Sequence, residues 1–206
     1  MPVARAEQAG CARWDGMSEL SLAEALRPPA VFCAEAGAGG KVPAPRRNAG
    51  HSLGLVVTAR SAFMYPIAKV FVAALAQRLP LCPGQKDQIH IALHEAVGNA
   101  VLHGNLGVGS DPFDSPAGLA AMRHMIDSRL ASDCLGLSGI RLDAGWTATF
   151  LTIAVRDSGR GFQPTHDQRP SGETSCSGRG LFILHALCDR VRHFASGTGV
   201  MLAFVL

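Results

Sequence analysis

Apolar residues recur every third or fourth position from Ile89 to Asn105, at Ile89, Leu93, Ala96, Val97 and Ala100, and this period predicts a helix with one buried stripe. The stretch has no proline and one internal glycine, Gly98. Upstream, Leu53 to Thr58 (LGLVVT) reads as a strand. A helix follows from about Pro66 to Leu79, with Ile67, Val70, Phe71, Ala74 and Leu75 as its buried side. Downstream, Ala117 to Leu130 reads as a helix after a loop. Ser138 to Leu142 and Trp146 to Arg156 pair as a hairpin around Asp143-Ala144-Gly145. Alternation there puts Thr147, Thr149, Leu151, Ile153 and Val155 on one face. Gly178 to Asp189 turns from glycines into a helix, and Val191 to Phe194 with Val200 to Leu206 closes the chain as a second hairpin. The order strand, helix, helix, strand, strand, helix, strand, strand predicts an α/β sandwich, a mixed sheet with helices on one face.

Two regions break this order. Residues 1–50 are rich in Ala, Gly and Pro and read as a flexible, linker-like segment. Within it Ser21 to Leu26 forms a short helix, with Ser21 as cap and Glu24 at the capping-box position. Residues of about 106–136 read as an insertion over one edge of the domain that occupies 51–206, with Arg123, His124, Asp127 and Arg129 on its surface.

Composition narrows the class. With 48% apolar residues in 206, one packed domain is expected rather than a disordered chain. The net charge of +3, one tyrosine and scattered cations give no support to nucleic-acid binding. Six cysteines lie far apart without a zinc spacing, as unpaired thiols of a reducing compartment would. No apolar run is long enough for a membrane span, so a cytoplasmic protein without membrane contact is expected.

The candidate chemistry is polar. Glu95, Asn99 and His103 are four residues apart on the long helix and stack on one face. Asp157-Ser158-Gly159-Arg160-Gly161 follows a strand, where glycines let a flat ligand approach the backbone and a carboxylate can accept from an exocyclic amine. Ser177-Gly178-Arg179-Gly180 opens a helix, whose free N–H groups attract phosphate oxygens. Each stretch alone has an ordinary structural explanation.

Their order is more specific. E-x-x-x-N-x-x-x-H-G, then D-x-G-x-G after a strand, then G-x-G-L opening a helix, resembles the three nucleotide boxes of the Bergerat-fold ATPases. That family includes gyrase-type ATPases, chaperones, histidine-kinase catalytic domains and anti-sigma-factor serine kinases. HEAVGNAVLHGN with GRGLFILHALCDRV is most similar to the serine-kinase branch. The resemblance implies a mostly antiparallel sheet and the cofactors ATP and Mg²⁺. It implies that Asn99 carries its amide oxygen to the metal and that Glu95 is the general base. His103 and Gly104 would sit near the phosphates, with a structural hydrogen bond for His103 an equal alternative. Asp157 would read adenine and Gly159 and Gly161 make room for its ring, while Gly178, Arg179 and Gly180 face the phosphates. Residues 163–177 would be the lid. The last hairpin departs from the histidine-kinase pattern, because Val200 stands where a threonine is typical.

The expected activity is therefore that of an ATP-dependent protein serine/threonine kinase. It would phosphorylate or sequester a partner protein, an antagonist or a sigma factor, and the family leads one to expect a homodimer. Two alternatives stand beside it: a nucleotide-dependent binding module with little turnover, and a detached histidine-kinase-type catalytic domain.

Overall fold

A computed structural model describes residues 10–38, 51–109, 115–161 and 179–206. Its centre is a seven-stranded sheet in the order β1-β2-β3-β4-β5-β7-β6. The strands are β1 (Cys11–Trp14), β2 (Phe32–Glu35), β3 (Ser52–Thr58), β4 (Gly139–Trp146), β5 (Phe150–Arg156), β6 (Arg190–Phe194) and β7 (Gly199–Val205). The first three run parallel, and every later neighbour is antiparallel. This is the mixed-sheet α/β sandwich that the pattern predicts, mostly antiparallel as the resemblance implies.

Alternation builds the core. Leu53, Leu55 and Val57 of β3 stand in register with Ala144, Leu142 and Ile140 of β4, and these with Ile153 and Val155 of β5. All are buried in one cluster with the apolar stripes of α3 (Ile67–Ala76) and α4 (Pro83–Asn99). Pro83 opens α4 and Gln85 accepts from the Cys82 backbone N–H at 3.0 Å, which satisfies one of the donors a helix start leaves orphaned. The last helix, α7 (Arg179–Leu187), is tied to α4 by Gln88, whose amide donates to the Leu187 carbonyl at 2.5 Å.

The N-terminal expectation needs correction. Residues 10–38, assigned to a linker by composition, supply β1, β2 and α1 (Glu19–Ala25). Trp14 is fully buried, its indole N–H donating to Ser18 and Ser21, and Leu22 and Leu26 join the core. Ser18, not Ser21, caps the helix, accepting from the Ser21 N–H at 3.0 Å. Glu35 then fastens β2 to α2 (Ala59–Met64): it accepts from the Thr58 N–H at 2.7 Å and the Ser61 hydroxyl at 2.7 Å. Four-residue strands are too short to show alternation against an Ala- and Gly-rich background.

Two smaller differences concern turns. Asp143-Ala144-Gly145 lies inside β4, and the hairpin turns at Thr147, whose N–H donates to Phe150 and whose hydroxyl accepts from it. Alternation holds for Leu151, Ile153 and Val155, while Thr147 and Thr149 belong to the turn. The insertion contains α5 (Pro116–Ala131) and α6 (Asp133–Gly136). Arg123, His124 and Asp127 are exposed on α5; Arg129 is half-buried and donates to Leu106 at the end of the long helix at 2.5 Å.

Candidate functional site

Helix α4 does not end at Asn99. The chain winds on through Ala100–Asn105 as a π-helix, the wider turn closed by Leu106 N–H donating to Val101 at 2.9 Å. This changes the polar row. Glu95 and Asn99 keep their one-turn spacing on the α-helix, while His103 lies within the π-turn and its ring is engaged by a backbone contact. His103 is exposed, and its Nδ1 lies 2.7 Å from the Val108 carbonyl, so that nitrogen carries the proton and donates. Of the two readings of His103, the structural hydrogen bond is the one seen.

The π-turn delivers the next residues to the end of β5. Gly104 lies against Asp157: a Cβ on Gly104 would come 2.5 Å from the Asp157 carboxyl carbon. A Cβ on Gly159 would come 2.2 Å from the Gly104 carbonyl oxygen. Neither position has room for a side chain, because the helix end lies directly against the Asp157 side chain and against the backbone of the strand-end turn. Gly161 has φ +86°, and a Cβ there would meet the Ser196 carbonyl at 2.2 Å. The glycines are thus spent on packing the protein against itself, which holds the Asp157 carboxyl in a fixed place.

Asp157 is held on three sides. Its own N–H donates to Thr198 at 3.0 Å, and its Oδ1 accepts from the Gly159 N–H at 2.8 Å. Burial pushes its carboxyl up from the ordinary value, and the backbone N–H groups of Gly159 and Asp157 oppose that rise without cancelling it. A half-buried acceptor of this kind suits an amine donor on a flat ligand.

Asn105 is a site residue that the sequence pattern missed. It is buried, at 6% exposure, and its amide spans two elements. Oδ1 accepts from the Ser158 N–H at 2.7 Å, while Nδ2 donates to the carbonyls of Ser138 and Gly139 at 3.2 and 3.3 Å. The Ser158 hydroxyl donates to the same Gly139 carbonyl at 2.8 Å. Asn105 therefore clamps the Asp157–Gly159 turn to the helix end. An asparagine closing the polar helix was the one available signal.

At the other end of the row, Gly180 near the start of α7 faces the helix. A Cβ there would sit 3.0 Å from the Glu95 carboxylate and 3.3 Å from the Asn99 amide. Glu95 and Asn99 are half-exposed, and no hydrogen bond joins either side chain to another described residue. The structure thus brings together Glu95, Asn99 and Gly180 in one group and Gly104, Asp157 and Gly159 in another, with Gly161 on the far side of the turn. Gly178 and the 163–177 segment lie outside the described residues, as does the Arg179 side chain. Val200 packs half-buried against the core in register with Val155, so it completes the sheet's helix-facing side.

The donor set also bears on a metal. Among the described residues no group of three His, Cys, Asp or Glu side chains could hold one. A hard cation that keeps its waters and takes phosphate oxygens needs no such group, and one amide oxygen beside one carboxylate fits it.

A mixed sheet under one helix layer, with a strand-end carboxylate locked against a polar helix, defines an α/β sandwich with a candidate site at the strand end. A family model described as a histidine kinase-like ATPase domain matches residues 57–206, and the chain belongs to that family. No curated protein matches the chain. No described helix is long and apolar enough to cross a membrane.

Proposed function

We propose that the chain is a protein serine/threonine kinase of the anti-sigma-factor type, using ATP and Mg²⁺ to phosphorylate a partner regulator that it also sequesters. The observation that carries this reading is the pair Glu95 and Asn99, one turn apart, open to solvent and facing the start of α7. Asp157 takes the adenine amine; Gly104 and Gly159 keep the carboxyl where that amine arrives. Asn99 offers its amide oxygen to the metal, which neutralises phosphate charge when bound. Gly180 leaves room for phosphate oxygens beside backbone N–H groups.

In the reaction, a serine hydroxyl of the partner attacks the γ-phosphorus. The new O–P bond forms as the bond to the β-phosphate oxygen breaks, and ADP leaves. Glu95 takes the hydroxyl proton. Phosphoryl transfer depends on positioning and charge more than on covalent help, so one carboxylate suffices.

The test is Glu95→Gln in a single-turnover assay with labelled ATP and a candidate partner. The rate should fall by roughly 10²- to 10⁴-fold while ATP affinity stays within about twofold. Full activity in that variant would overturn the assignment. Label that is acid-labile and on histidine would replace it with the histidine-kinase reading; partner capture without any label would favour a binding module.

A further inference from the structure

The sheet has a second face that the helices do not cover. The cross-strand registers put Arg13, Arg141, Arg156, Arg190 and Arg192 on it, against one acid, Asp143. That is a net +4 on one face of a chain whose total is +3. None of its residues belongs to the apolar core: even Val56, buried there, is separate from the cluster under the helices.

The arginines are held by repeated construction. Phe32 lies over Gly54, where a Cβ would come 2.7 Å from the ring, and the Arg141 guanidinium sits 5.7 Å from that ring's centroid. Phe194 lies over Gly199 in the same way, at 2.5 Å, with Arg156 at 5.0 Å. Each glycine makes room for a phenylalanine, and each phenylalanine carries an arginine. Arg141, at 8% exposure, stands directly opposite Arg156 in register, so the charge offered to solvent on this face is that of Arg13, Arg156, Arg190 and Arg192. Arg141 is also bound by Asp143, at 2.5 and 2.7 Å. No ion pair to Arg156, Arg190 or Arg192 occurs among the described residues.

We propose that this face docks an acidic, apolar-containing segment of another protein. Its chemistry is that of a protein interface: arginine and phenylalanine with Met201, and exposed Phe150 and Val205 at one end, with no lysine. Seven strands about 4.8 Å apart span roughly 29 Å, enough for one side of an ordinary interface. A second copy of the face would bring +4 against +4. Nucleic acid is disfavoured because two of the three phenylalanines already lie under guanidinium groups.

The test uses the full chain and needs no turnover, so it stands or falls apart from the kinase reading. Fluorescence anisotropy would follow a labelled peptide of alternating glutamate and leucine at 50 and 300 mM salt. A glutamine–leucine peptide, a fifteen-base thymidine oligomer and anionic lipid vesicles serve as competitors. Wild type should bind the acidic peptide, more weakly at high salt, and Arg156→Gln/Arg192→Gln should weaken it by about tenfold with ATP binding unchanged. Arg190→Gln/Arg192→Gln, confined to the edge strand, should weaken it less. Equal binding by the variants or by the glutamine peptide would overturn the proposal. So would preferential displacement by the oligomer or vesicles, or a wild-type dimer that these changes dissolve.

Discussion

The two ends of the candidate site are built on opposite principles. At the Asp157 end, backbone is closely engaged: Gly104 lies against the Asp157 side chain, Gly159 against the Gly104 carbonyl, and the Asn105 amide is bonded to three backbone groups. At the Glu95 end, two half-exposed side chains stand on a helix face with Gly180 beside them. The first end is tied together by contacts within the chain, and the second presents side-chain groups without hydrogen-bond partners among the described residues. On the proposed kinase reading, turnover would rest on α4 and affinity on the π-turn that follows it, at Ala100–Asn105, with the strand end it holds.

The same small change should therefore act differently at each end. Gly159→Ala drives a Cβ into a backbone carbonyl that cannot move without unseating the π-turn. It should cost about 2–3 kcal/mol in urea denaturation and abolish nucleotide binding. Asn105→Ala comes next, leaving the Ser158 N–H without its acceptor, at about 1–3 kcal/mol. Its nucleotide affinity should drop with kcat on saturating ATP nearly kept; a fall in kcat alone would contradict the clamp. Gly180→Ala should be mildest for stability, below about 1 kcal/mol, because the Cβ meets the free ends of Glu95 and Asn99. Turnover should fall in that variant more than binding does. Equal losses of stability in Gly159→Ala and Gly180→Ala would erase the contrast.

The smallest effect concerns pH. Burial raises the Asp157 carboxyl in the folded protein, so the fold binds its proton more tightly than the unfolded chain does. Asp157 thus favours the fold at acid pH, and that contribution is lost as pH rises from its ordinary value through the raised one. Nucleotide binding runs the other way, since the ionised carboxylate accepts the amine, and affinity should fall as pH drops through the raised value. Asp157→Asn should remove both dependences. Unfolding free energies and Kd measured between pH 4 and 7 check them.

Much of this contrast was legible in the chain, and the exceptions have physical reasons. Glu95, Asn99 and the glycine stretches stood out because four-residue spacing and paired glycines leave a local signature. For His103 the structural hydrogen bond is the reading the fold shows, and its partner, the Val108 carbonyl, is one that no helical period points to. Asn105 was passed over because its partners, Ser138, Gly139 and Ser158, are distant in sequence and a clamp of this kind has no spacing. Residues 10–38 carry no readable period because Trp14 and Glu35, which fasten them, act through tertiary contacts with α1 and α2.

The most direct measurement is a titration of fluorescent ADP and ATP, with and without Mg²⁺, on wild type and Asp157→Asn. A preformed adenine end predicts that wild type binds both nucleotides even without the metal. Asp157→Asn should weaken all four titrations by a similar factor, about tenfold or more. Wild-type-like affinity in Asp157→Asn, or binding by wild type only when Mg²⁺ is present, would contradict it.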